Sequence, residues 1–294
     1  MRRCDFVALL GTILVCASTL LPPTALSETA ELTLVTWRAG NSSLFQEGTR
    51  EENGAQAAQG ALPVRVYRPD GAGQFPFVVL LHGCGGLHQE AMWRAWVEPW
   101  VGLFGERGIG AAVVDSFGPR GVDQVCTSNV AAWAVRRADD AYTVRAWLAT
   151  QSYVDAKHIA VMGMSNGGRT VLAALRTSLK HPDPFVAGIA LYPGCQSDVD
   201  SRFYAPLLVL MGRADTVAPA SYCEAMKGAQ PVDRGPALDL VVYPRAPHTF
   251  DMRLPDRTIL GMRLGYDAEA AADARRRVLE FLAAYAVLPT GGPR

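Results

Sequence analysis

The chain has no surplus charge: across 294 residues, 28 Lys and Arg offset 28 Asp and Glu. A protein so balanced offers no long-range field to nucleic acid or to an anionic membrane, and neither is expected as a partner. It has no Lys/Arg run, no low-complexity block and no internal repeat. Cysteines are few, six in all, and no Cys-x-x-Cys or His/Cys spacing suggests a metal. Nothing in the pattern calls for an organic cofactor either. What remains is a 49% hydrophobic chain, long enough for one soluble domain with a full core.

The N-terminus points to a compartment. Met1-Arg2-Arg3 is basic, and Phe6 to Leu21 is apolar but shorter than the ~20 residues of a membrane span. Ala25 and Ser27 then put small residues at the −3 and −1 positions of a cleavage site. Residues 1–27 are therefore expected to be a signal peptide, residues 28–294 a single mature domain, and the protein secreted or periplasmic. An uncleaved anchor is the alternative. Cys4 and Cys16 leave with the leader; Cys84, Cys126, Cys195 and Cys223 remain. Four cysteines in an oxidising compartment allow two disulfides in three connectivities.

Leu32 to Trp37 and Val64 to Tyr67 read as strands, separated by a polar loop. Phe77 to Leu81 is a continuous apolar run, as expected of a strand buried on both faces. Ala111 to Val114, Ile159 to Met162, Val186 to Leu191, Leu207 to Met211 and Leu238 to Val242 repeat it. Helical segments fall between most of these runs: Glu90 to Arg107, Ala131 to Ala149, Gly168 to Leu179, Ser221 to Lys227 and Ala268 to Val287. The alternation predicts an α/β fold, a mostly parallel sheet with helices on both faces. Ligands of such sheets bind at the carboxyl ends of the strands. Chemistry is expected just after each apolar run.

One run ends in Gly163-Met164-Ser165-Asn166-Gly167-Gly168. Gly-x-Ser-x-Gly between strand and helix permits a tight turn that exposes the serine hydroxyl at a helix N-terminus. A serine needs a base. Of five histidines, only His248 follows the last apolar run, in Tyr243-Pro-Arg-Ala-Pro-His-Thr-Phe. The acid should lie between them, and Asp215 closes Gly212-Arg213-Ala214-Asp215 at the edge of its strand. Asp198 and Asp200 are alternatives. An oxyanion hole needs two backbone donors: the N–H of Asn166 and one from His82-Gly83-Cys84-Gly85-Gly86, with Cys84 favoured. His82 is expected to shape that loop. Trp93, Trp96 and Trp100 read as packing on one helix face, and Arg136, Arg137, Asp139 and Asp140 as a solvated or ion-paired face.

With these pieces placed, the segments LLHGCGGL, VVDSFGPRG, VMGMSNGGR, LMGRADTVAP and YPRAPHTFD resemble the dienelactone hydrolase family of the α/β-hydrolases, over roughly Leu62 to Tyr285. The resemblance implies hydrolysis of small carboxylic esters, with the nucleophile at Ser165, the acid at Asp215 and the histidine at His248. The founding enzymes differ: they use a cysteine nucleophile, and a glutamate stands in the loop that here reads His82-Gly83-Cys84. They also hold a substrate carboxylate with two arginines. Arg120 lies near the first of these positions, but Met252, followed by Arg253, stands at the second. The strand order implied by the family pairs Cys84 with Cys126 and Cys195 with Cys223, because each pair falls in adjacent loops. A peptidase or thioesterase on the same three residues, or a binding protein with a decayed site, are the rival readings.

Overall fold

In a computed structural model, residues 31–36, 61–88, 90–231, 236–259, 262–285 and 287 are described. The expected signal peptide and the polar loop between the first two strands lie outside them. Eight strands form one sheet in the order β1-β2-β4-β3-β5-β6-β7-β8. They are β1 (Glu31–Thr36), β2 (Ala61–Tyr67), β3 (Phe75–Leu81), β4 (Gly110–Val114), β5 (Val154–Met164), β6 (Gly188–Leu191), β7 (Leu207–Gly212) and β8 (Leu238–Tyr243). β1 and β2 are antiparallel, β2 is antiparallel to β4, and every pairing from β4 to β8 is parallel. Parallel pairs require crossovers, and helices supply most of them: α1 (Glu90–Met92) and α2 (Glu98–Gly105) between β3 and β4, α3 (Val130–Leu148) between β4 and β5, α4 (Asn166–Leu175) between β5 and β6 and α5 (Ala220–Gly228) between β7 and β8, while α6 (Ala268–Ala284) follows the last strand of the sheet.

The central strands are buried throughout β4, β6 and β7 and along β3 from its second residue, which is why they read as unbroken apolar runs. Helix starts follow local chemistry. Asn129 caps α3 by accepting from the Ala132 N–H at 3.1 Å, and Asp267 caps α6 through the Ala270 N–H at 3.0 Å. The segment expected as one helix from Glu90 to Arg107 is broken: a π-helical turn, Trp93–Val97, separates α1 from α2. Trp96 and Trp100 are buried in the core, and Trp93 is half-buried beneath the Arg65 guanidinium, 4.1 Å from its ring.

Some expected boundaries move. β5 begins at Val154, before the apolar run, because its first residues pair at the sheet end while partly exposed. α4 stops at Leu175, where Arg176 turns extended. A short hairpin, β9 (Arg257–Ile259) with β10 (Met262–Leu264), was not expected.

Of two disulfides, Cys84–Cys126 joins the loops that follow β3 and β4, and Cys195–Cys223 joins the loop after β6 to α5, the helix that follows β7. Both are the pairings implied by strand order. In the chain-entropy account each stabilises by roughly 3–4 kcal/mol.

Glycine packing separates two kinds of position. A Cβ on Gly167 would lie 2.0 Å from the Leu81 carbonyl oxygen, whereas one on Gly102, inside α2, would meet nothing within 4 Å. Gly102→Ala is expected to stabilise by about 0.5–1 kcal/mol through helix propensity. Gly167→Ala is expected to lower the melting temperature by several degrees or more, about 2–4 kcal/mol. Thermal unfolding of the two variants beside the parent checks both signs.

Candidate active site

Ser165 is the single residue between β5 and α4, with φ 51° and ψ −116°. This backbone is one that a non-glycine residue adopts only at a cost. The turn closes because both flanks are glycine: a Cβ on Gly163 would lie 2.3 Å from the Gly167 carbonyl oxygen. The Ser165 N–H donates to the Leu191 carbonyl of β6 at 2.9 Å. The serine thus sits at the N-terminal end of a ten-residue helix.

His248 reaches this serine. Its Nε2 is 3.0 Å from Ser165 Oγ, and its Nδ1 is 2.7 Å from Asp215 Oδ2. Asp215 has no freedom to turn away, because its Oδ1 accepts from the N–H groups of Val217 and Ala218 at 2.8 and 2.9 Å. Asp215 and His248 are both buried. The unexpected hairpin secures the histidine: His248 bridges to Leu264, and the Gly265 N–H donates to the His248 carbonyl at 3.0 Å.

Behind the imidazole lies a polar group that the sequence reading missed. The Tyr192 ring meets His248 edge-on with centroids 4.7 Å apart, and its hydroxyl donates to Asp251 Oδ1 at 2.6 Å. The Trp100 indole N–H donates to Asp251 Oδ2 at 2.9 Å. Burial pushes the Asp251 carboxyl above the usual range, while these two hydrogen bonds pull it back. Asp198, the alternative acid, is elsewhere, paired with Arg176 at 2.7 Å.

The loop after β3 runs beside the serine: a Cβ on Gly83 would be 3.7 Å from Ser165 Cβ. His82 is fully buried, with Nδ1 donating to the Gly83 carbonyl at 2.8 Å and Nε2 accepting the Ser116 N–H at 3.4 Å. It fixes the loop's path, as expected. Cys84, the next residue but one, is held by its disulfide to Cys126.

Two arginines depart from expectation. The resemblance places Arg120 near a position that binds a substrate carboxylate. Its side chain is only 6% exposed, and its fork is taken by Asp140, at 2.9 Å to Oδ2 and 2.7 Å to Oδ1. Arg137 and Asp140 are not on a solvated face; both are fully buried where α3 packs against α4. Arg137 donates to Asn166 Oδ1 at 2.7 Å and to the His82 carbonyl at 2.8 Å. Burial lowers its pKa to about 9, with Asp140 opposing the shift, so it is cationic at neutral pH. A signal was present: Ala134, Arg137, Ala138, Ala141, Val144 and Leu148 form a helical stripe, all buried.

The family model described as dienelactone hydrolase matches residues 119–286, a span that contains Ser165, Asp215 and His248. The chain belongs to the dienelactone hydrolase family. A second model, the X-Pro dipeptidyl-peptidase (S15) family, matches residues 34–198. A provisionally named carboxymethylenebutenolidase of Yersinia pestis is 26% identical over 248 residues, covering 77% of this chain and 85% of that protein. A provisionally named dienelactone hydrolase of Klebsiella pneumoniae subsp. pneumoniae superposes with a TM-score of 0.59 at 22% identity, over 76% of this chain and 93% of its own. Thermogutta terrifontis esterase 2, phosphorylated by paraoxon, gives 0.56 at 21% identity, over 80% and 93%. These solved structures share the fold of this dienelactone hydrolase family member. Among its described residues, no group of three His, Cys, Asp or Glu could hold a metal ion, and no helix is long and apolar enough to cross a membrane.

Burial keeps His82 well below its ordinary pKa, with Arg137 adding to the effect. The folded protein therefore holds it neutral, while the unfolded chain binds a proton below about pH 6.5. The stability from this group is full above that value and declines as the pH falls, by up to about 1.4 kcal/mol per pH unit. Melting temperatures at about pH 7.5 and about pH 5 should fall further for the parent than for His82→Gln. Equal falls would contradict this account.

Proposed function

We propose that this protein is an exported serine hydrolase that cleaves carboxylic esters of small molecules through an acyl-enzyme on Ser165. His248 Nε2 takes the Ser165 proton as Oγ attacks the substrate carbonyl. Asp215 orients the imidazole and stabilises the imidazolium. The oxyanion receives the N–H groups of Asn166 and Cys84. Collapse of the tetrahedral intermediate expels the alcohol, which takes its proton from His248. A water deprotonated by His248 then attacks the acyl-serine, and the acid leaves.

The observation that carries this reading is the unbroken Asp215–His248–Ser165 chain, at 2.7 and 3.0 Å, on a strained strand-to-helix turn. The ester is favoured by the relatives' names, a carboxymethylenebutenolidase and an esterase. Export, and a single mature domain from Glu28, are supported by the N-terminal pattern and by two disulfides. Arg120 is assigned to its own loop rather than to substrate, because Asp140 occupies its fork. The match to the X-Pro dipeptidyl-peptidase (S15) family model favours peptide-bond cleavage as a second reading.

Matched p-nitrophenyl ester, thioester and anilide substrates separate the readings. The ester is expected to have the highest kcat/KM, and an anilide rate equal to it would favour a peptidase. Ser165→Ala and His248→Ala should each lower kcat by at least ~1,000-fold, and Ser165→Ala should abolish fluorophosphonate labelling. Near-normal turnover in Asp215→Asn would remove that residue from the mechanism.

The Cys84–Cys126 disulfide anchors the loop of one proposed oxyanion donor. Cys126→Ser is therefore expected to lower kcat more than it raises KM. A loss confined to KM would mean that the disulfide serves substrate binding instead.

A further inference from the structure

Two segments far apart in sequence must meet for the proposed oxyanion hole to exist: the loop after β3 and the first residue of α4. A residue on α3, Arg137, joins them. Its side chain is fully buried. One nitrogen, Nη1, donates to Asn166 Oδ1 at 2.7 Å, and the other, Nη2, donates to the carbonyl of His82 at 2.8 Å. The Asn166 amide is held from its other end too, since Nδ2 donates to the Val130 carbonyl of α3 at 2.7 Å. Phe117 covers the guanidinium, with its ring centroid 5.0 Å from Cζ. One side chain therefore grips the residue after the serine and the residue two before Cys84.

A fold does not need a charge at this place. An apolar residue of similar volume usually serves stability as well as a buried ion pair or better. Nor is the charge paired directly: Arg137 donates to an amide oxygen and a carbonyl, and Asp140 and Asp115 act on it only through space. The buried carboxylate three residues along α3, Asp140, gives both oxygens to Arg120. A fixed positive charge in a dry site is worth most where negative charge develops during reaction.

We infer that Arg137 is a positioning residue for the oxyanion hole, holding its two backbone donors in register and placing a buried cation beside the developing oxyanion. The inference rests on the proposed Ser165 mechanism. It assigns Arg137 no contact with substrate. Its effect must therefore appear in the tetrahedral state and not in the Michaelis complex.

The test compares parent, Arg137→Met, Arg137→Lys and Asn166→Ala, each standardised by stoichiometric fluorophosphonate titration. Steady-state hydrolysis of p-nitrophenyl acetate and inhibition by an aliphatic trifluoromethyl ketone, which adds to the serine as a tetrahedral oxyanion, are then measured. In titratable Arg137→Met, kcat should fall on the order of 10- to 100-fold with KM within about twofold. Ketone affinity should weaken by the same factor as kcat/KM, and Arg137→Lys should recover part of both losses. Asn166→Ala retains the backbone donor but removes the acceptor of Arg137. It should change kcat and ketone affinity in the same direction, and adding Arg137→Met should cost little more. Unchanged kcat and ketone affinity in titratable Arg137→Met, or a loss wholly in KM, would overturn the inference. If that variant fails to fold, unchanged values in Asn166→Ala overturn it instead. Failure of the underlying mechanism looks different: the parent would not label, or labelling would survive Ser165→Ala.

Discussion

A parallel sheet delivers the carboxyl ends of its strands to one edge, and at that edge β5 must become α4 within a single residue. Ser165 absorbs the whole change of direction at φ 51°, a conformation costing about 1–3 kcal/mol for a side-chain-bearing residue. The surroundings determine it from both sides. β6 accepts the Ser165 N–H, while Gly167 lies so close to the Leu81 carbonyl that no larger residue fits. The serine's position is thus tied to the ends of β3 and β6, its neighbours across the sheet. Packing of the strands and of α4 carries the strain, and the site inherits its rigidity.

The other two members of the hydrogen-bonded chain arrive on separate loops, each fastened by backbone rather than by side-chain packing alone. Asp215 is anchored by two N–H groups of its own loop, and the His248 loop is stitched to the β9–β10 hairpin. Tyr192, itself at φ 37°, presses its ring edge on the imidazole and passes its hydroxyl to Asp251. The cost of burying that carboxylate is offset by two directed donors, which fix the tyrosine and Trp100 in turn.

Much of this was legible in the sequence because buried parallel strands write themselves as apolar runs. Ser165, Asp215 and His248 could be found because each stands just beyond such a run, or beyond the last one. Where burial was partial, the signal faded. The start of β5 carries the exposed Lys157, and β9–β10 carries the exposed Arg257, Thr258 and Arg263. The π-helical turn left no trace, since Trp93, Trp96 and Trp100 fit a continuous helix equally well on spacing alone. Arg137 was misread for a different reason. Composition places charged residues outside, and only its place in the buried stripe of α3 argued otherwise. The disulfide pairing needed strand adjacency, β4 beside β3 and β6 beside β7, which three possible connectivities cannot supply.

Both cross-links lie at the carboxyl edge of the sheet, one on either flank of β5: Cys84–Cys126 joins two loops, whereas Cys195–Cys223 ties α5 to the loop after β6. The strands bury their apolar residues without help from sulfur. One cross-link reaches the surface at the exposed Cys126, while both sulfurs of the other are buried in the main hydrophobic cluster. Reduction would release the tether on the loop beside Ser165 and the link between α5 and the loop after β6. An oxidising compartment would thus bear on the geometry of the loop that carries one proposed oxyanion donor, as well as serving as an address.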